Sequence, residues 1–115
     1  MSAAALDAID RILDRGGEVD DILREVVAAL VEHGGCTWAA ILFAEQGELV
    51  LGPQAGTAHP DARVQIPVVY RGDRVAELVV DGCDDRAFLD RVATLISEYC
   101  LVGWDTGGVP WDNVS

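Results

Sequence analysis

Lysine is missing from this 115-residue chain, so its eight cationic side chains are all arginines, set against twenty carboxylates for a net charge of −12. That field repels phosphate backbones and anionic lipid, which argues against nucleic-acid and membrane-surface partners. No basic cluster reverses the sign locally. Long apolar runs are missing too: nothing approaches the about 18 residues that a transmembrane helix needs. The first ten residues, MSAAALDAID, carry acids where a secretory signal needs a positive start, so a cytoplasmic protein is expected. Cysteine is sparse. Cys36, Cys83 and Cys100 form neither a C-x-x-C pair nor an even set, and free thiols behaving as small apolar side chains are the expectation.

What is present is apolar and periodic. Half of the residues are apolar, enough for one domain to bury roughly 65% of its unfolded surface. Leu6, Ile9, Ile12 and Leu13 share one helical face, and Gly16-Gly17 stops that helix. A second helix carries Val19, Ile22, Leu23, Val26, Val27, Leu30 and Val31 at offsets of three and four. Its first turn holds Glu18, Asp20 and Asp21, suited to the positive end of the helix dipole.

Residues 36–44 read as a strand in which Trp38, Ala40 and Leu42 face one way and Ala39, Ile41 and Phe43 the other. Both faces are apolar, which predicts a central strand. Residues 45–47 turn, 48–51 return, and 52–61, rich in Gly, Pro and Ala, read as loop. A second strand pair, 63–70 and 74–81, surrounds Arg71-Gly72-Asp73. Pro67 cannot donate to a ladder, which places it on an edge or at a bulge. A last helix starts near Asp84 as N-cap and buries Phe88, Leu89, Val92, Leu95, Ile96 and Tyr99. Residues 1–103 form the expected domain, followed by a 104–115 tail with Trp104 and Trp111.

Several chemical constellations fall short on their own terms. His33 and Cys36 do not complete a tetrahedral metal site. Residues 81–85 group three carboxylates without the alternation and distal Glu of a calcium loop. Gly52-Pro53 and Gly56 lack the Lys of a phosphate loop. Asp105-Thr106-Gly107 copies the aspartic-protease tripeptide with too little chain after it, and Arg71-Gly72-Asp73 is ordinary turn chemistry. No cofactor is implied.

The second helix with CTWAAILF, and then QIPVVYRGDRVAELVV, resemble a GAF domain. The first stretch is similar to that family's helix and first strand. The second is similar to its Pro-hydrophobic, turn, Gly, hydrophobic-strand signature, with Ala76 where Gly is common. The resemblance implies an α+β fold: an antiparallel sheet with the N- and C-terminal helices packed together on one face, those helices often forming a homodimer interface. CTWAAILF with ELVLGPQAG looks closest to the free methionine-R-sulfoxide reductases, whose catalytic cysteines lie in a segment that this chain lacks, so a shortened lid region is expected. None of Cys36, Cys83 or Cys100 matches those cysteines.

On that resemblance Trp38 and Leu42 lie on the pocket side of the first strand, and Asp81 matches a carboxylate on the last. Further carboxylates would fall at Val79 and Arg63, which cannot hold an ammonium. The implied ligand-binding residues are Trp38, Leu42, Arg63 and Asp81, with no catalytic residue, and Arg63 would favour an anionic or carboxylate ligand. Trp104 and Trp111 would cover the bare sheet face, seal a dimer, or dock a partner. The expected function is a non-catalytic regulatory module for small-ligand sensing or protein interaction. The alternatives are a thiol-dependent reductase working from Cys36 or Cys83, and a roadblock-like GTPase-binding dimer. The latter needs a helix between its strand pairs, which residues 52–61 are too short to supply.

Overall fold

The computed structural model describes residues 3–45, 48–83 and 85–100. The 104–115 tail, with Trp104, Trp111 and the Asp105-Thr106-Gly107 tripeptide, lies outside them. Two helices open the chain, α1 (Ala3–Arg15) and α2 (Val19–Glu32). Gly16 and Gly17, at φ 74° and 126°, make the break between them in a backbone region that costs glycine little. Four strands follow: β1 (Trp38–Glu45), β2 (Glu48–Gly56), β3 (Arg63–Tyr70) and β4 (Asp73–Asp81). The helix α3 (Arg86–Ile96) runs into a short 3-10 turn at Ser97–Cys100.

The strands form one antiparallel sheet in the order β2-β1-β4-β3. β1 is interior, as its two apolar faces require. β3 is an edge strand, and its pairing shifts register between Val68 and Val69, immediately after Pro67. Arg71 (φ 52°) and Gly72 (φ 87°) supply the positive φ angles of a tight hairpin turn.

The sheet has two unlike faces. Ala39, Ile41 and Phe43 of β1, Ile66 and Val68 of β3, and Ala76, Leu78 and Val80 of β4 join the helices in one large core. The helical contribution follows the predicted stripes: Ile9 and Ile12 from α1, Ile22, Leu23, Val26, Val27 and Leu30 from α2, Phe88, Leu89, Val92 and Ile96 from α3. Leu6, Leu13, Val19, Val31, Leu95 and Tyr99 are half-buried at its margin. The other face has no described helix packed on it, and carries a small separate cluster of Trp38, Ala40 and Val79, with Leu42 packed beside it.

Two local expectations are corrected. Residues 52–56 belong to β2 and not to a loop. Ala40 pairs with Gln54 but Leu42 with Leu51, so Gly52 and Pro53 together oppose Ile41 in a bulge. The edge position tolerates the missing Pro53 donor, and a Cβ on Gly52 would sit 2.3 Å from Phe43 Cε2, so the bare glycine makes room for the core ring. The N-cap of α3 is Asp85 and not Asp84, its carboxylate accepting from the Phe88 N–H at 3.2 Å.

Candidate functional site

The register of the sheet places Gly56, Trp38, Asp81 and Arg63 on a single rung that crosses all four strands. Directly paired residues in antiparallel strands point to the same face, so the Trp38, Asp81 and Arg63 side chains share the face away from the helices. Three of the four residues expected at a binding site are thus brought together by pairing alone. The fourth, Leu42, lies four rungs away on the same face, half-buried against the Trp38–Ala40–Val79 cluster.

Asp81 is the centre of the rung. Its side chain is 0% exposed, yet both carboxylate oxygens are occupied. Arg63 Nε donates to Oδ1 at 2.8 Å and Nη2 to Oδ2 at 3.0 Å, a two-pronged contact that fits the planar guanidinium. The His59 backbone N–H donates to Oδ2 at 2.6 Å. The Arg63 hydrogen bonds, reinforced by the His59 N–H, hold the Asp81 carboxyl below its ordinary value against the opposing effect of burial. Arg63 in turn lies over the Trp38 ring, its central carbon 4.6 Å from the ring centroid, within cation–π range. Trp38 Nε1 donates to Gln54 Oε1 at 3.2 Å, which fixes the indole.

The short β2–β3 connection explains why His59 arrives there. Residues 57–62 must pass from one edge strand to the other. Four strands span about 14 Å centre to centre, and six residues reach at most about 20 Å. Six residues suffice for that crossing and include a 3-10 turn at Pro60–Ala62, which leaves little chain for a lid. Thr57 N–H bonds to Thr37 O at 2.8 Å and Gly82 N–H to Ala62 O at 3.1 Å, tying it down at both ends. Gly56 makes the exit possible: at φ 89° it lies so close to Thr37 that a Cβ would fall 2.2 Å from the Thr37 carbonyl oxygen.

Arg63 was expected to be available to an anion, and its closest partner is instead Asp81 of the same chain. The pair is neutral overall, which lowers the gain an incoming anion would obtain. The acid at position 81 is the source of this difference, because a buried carboxylate without a cation is strongly destabilising and Arg63 supplies the cation. Gln54 and the His59 N–H were not anticipated: both lie in the stretch read as loop.

The three thiols lie on the other side. Cys36 and Cys100 belong to the helix-side core and Cys83 packs against it. Burial pushes the Cys100 thiol up to about 12, and burial together with a hydrogen bond to Cys83 pushes Cys36 up to about 12. His33 is an exposed residue at the C-terminal end of α2. Two clefts run along α1, one of about 440 Å³ against α2 that includes Arg15, Glu25 and His33, and one of about 510 Å³ that includes Leu13 and Leu95.

No protein-family model matches the chain, and no curated protein matches its sequence. Solved structures do match in shape. The fold is similar to the GAF domain of an Acinetobacter phosphoenolpyruvate-protein phosphotransferase, with a TM-score of 0.70 and 15% identity over 96% of this chain and 100% of that one. It is also similar to free methionine-R-sulfoxide reductase from Neisseria meningitidis, solved in complex with its substrate (TM-score 0.68, 17% identity, 84% of this chain and 86% of that one). A third similar structure is the A. aeolicus nlh2 GAF domain in an inactive state (TM-score 0.65, 11% identity, 83% and 92%). At these identities the likeness establishes the fold: this chain has the GAF fold.

Proposed function

We propose that this chain is a non-catalytic GAF-type regulatory module whose open sheet face is its recognition surface. The observation that carries the reading is the separation of thiols from site: all three cysteines belong to or pack against the helix-side core, whereas Trp38, Asp81 and Arg63 share the opposite face. A sulfoxide-reducing reaction needs a thiolate beside the bound sulfur, and two of these thiols are held protonated by burial. The similarity to a methionine sulfoxide reductase therefore extends to the fold and not, in this proposal, to the reaction.

The saturated Asp81 narrows the ligand. An amino-acid ammonium would have to displace Arg63 to reach the carboxylate, and would leave a guanidinium without its partner. A ligand with a flat or apolar body for Trp38 and Leu42, and an acceptor for the exposed edge of Arg63, fits the arrangement better. Arg63 is the accessible member of the rung, its side chain 31% exposed against 0% for Asp81. The helices α1 and α3 provide the surface for a homodimer.

Native mass spectrometry of the full chain, purified without added ligand, tests this. A dimer that retains a small molecule, lost in Arg63→Ala, is the expected result. A mass for the bare chain that stays unchanged on adding its copurified small-molecule extract would overturn ligand sensing.

A second reading, protein interaction, is favoured by one feature. Leu49 and Leu51 of the β2 edge strand are 41% and 48% exposed, and Leu51 pairs with half-buried Leu42. Adjacent apolar side chains on an unpaired strand edge suit strand addition by a partner segment. Leu51→Asp would then abolish partner binding while leaving small-ligand retention unchanged.

A further inference from the structure

The β1–β4 ladder ends at Trp38 opposite Asp81, and each strand continues to a cysteine two residues beyond it: Cys36 before β1 and Cys83 after β4. The chain ends stay together past the last formal rung. Thr37 N–H bonds to Asp81 O at 2.9 Å, and a Cβ on Gly82 would lie 2.9 Å from Thr37 Oγ1. The Cys36 and Cys83 side chains are hydrogen-bonded neighbours, and both thiols are free.

We propose that Cys36 and Cys83 form a reversible intramolecular disulfide, a redox-modifiable staple between the start of β1 and the end of β4. Three features make the bridge attainable. The two side chains already meet in the reduced chain, and the Thr37 N–H bond to Asp81 O holds the adjoining backbones together. Each cysteine follows a glycine with positive φ, Gly35 at 78° and Gly82 at 81°, so the backbone on both sides can adjust. The two cysteines also differ in access: Cys36 is 4% exposed and Cys83 half-buried.

That asymmetry sets the order of events with a small-molecule disulfide as oxidant. Cys83 loses its proton and attacks one sulfur of the oxidant. The S–S bond of the oxidant breaks, and the departing thiolate takes up the proton. Cys36 then attacks the Cys83 sulfur of the mixed disulfide, its proton passing to the second departing thiolate. Two thiols of the protein are oxidised by two electrons, and the oxidant is reduced to two small thiols. Burial makes Cys36 a poor first nucleophile, and contact with Cys83 offsets this only in the second step, where its target is already beside it.

The bridge would lock the strand ends that carry Trp38 and Asp81, each two residues from a cysteine. The inference does not rest on the proposed recognition function. It is tested on the folded full chain, equilibrated with oxidised glutathione and then alkylated without denaturant. The expected result is a monomer lighter by two hydrogens, with the Cys36 and Cys83 peptides joined and Cys100 free, restored by dithiothreitol. In Cys36→Ala the reaction stops with one glutathione on Cys83, and in Cys83→Ala no adduct forms; circular dichroism checks that each variant is folded. A wild-type chain that accumulates glutathione on Cys83 with Cys36 still free overturns the proposal, as does a bridge that includes Cys100 or a second copy.

Discussion

The two faces of the sheet are built from the same four strands and do opposite things. The helix-side face buries aliphatic and aromatic groups continuously, with Phe43, Ile41, Leu78, Val80, Ile66 and Val68 all at 0–1% exposure. The open face carries the polar rung Trp38–Asp81–Arg63, a thin apolar floor at Ala40 and Val79, and the buried Glu77 paired with Arg74. Stability on the first face comes from apolar area and close packing. On the second it comes from a specific pairing, in which Arg63 holds both Asp81 oxygens and the His59 N–H holds one of them as well. The first kind tolerates exchange of similar volumes, whereas the second is lost with a single atom. A GAF-type fold can therefore keep its architecture while the open face changes its chemistry.

Substitutions can break that contrast, beginning with the core. Phe43→Ala should destabilise by on the order of 3–5 kcal/mol, measured by denaturant unfolding, because a fully buried ring is removed where Gly52 already leaves room for it. Asp81→Ala should cost about 2 kcal/mol, the range for losing charged hydrogen bonds, and should also release the β2–β3 connection at His59. Protection of the His59 amide from hydrogen exchange would drop with it.

The pH dependence sharpens the same comparison. The Asp81 carboxyl is held below its ordinary value in the folded chain, so it contributes stability that is fully present above the unfolded carboxylate pKa. That contribution is lost as pH falls through the ordinary value and down towards the depressed one. Thermal unfolding between pH 7 and pH 3 should show it, with a shallower decline in Asp81→Asn. Leu51→Asp is the mildest change in stability, expected within about 0.5 kcal/mol because the side chain is half in water.

Much of the fold was legible because its periodicities are strong. The alternation through Trp38–Ala39–Ala40–Ile41–Leu42–Phe43 separated the two faces correctly, and the two apolar faces of β1 placed it inside the sheet. Pro67 pointed to an edge strand. The end of β2 was not legible: Gly52 and Pro53 are breakers in isolation, and the bulge opposite Ile41 that accommodates them exists only once β1 is beside them.

The site divides in the same way. Trp38, Arg63 and Asp81 could be singled out from the resemblance, but the ion pair between Arg63 and Asp81 is a product of β3–β4 register, which composition does not specify. Cys36 and Cys83 read as unrelated thiols for a similar reason. They are far apart in sequence, and only antiparallel pairing of their strands makes them neighbours.

The central claim, that thiol chemistry and recognition occupy opposite faces, is tested most directly by offering the sulfoxide. Fully reduced chain would be incubated with free methionine sulfoxide, and both product methionine and remaining thiols quantified. The account predicts no methionine and three free thiols per chain throughout. Methionine formed in step with the loss of two thiols would contradict it, and would place a reacting sulfur on the face proposed for recognition.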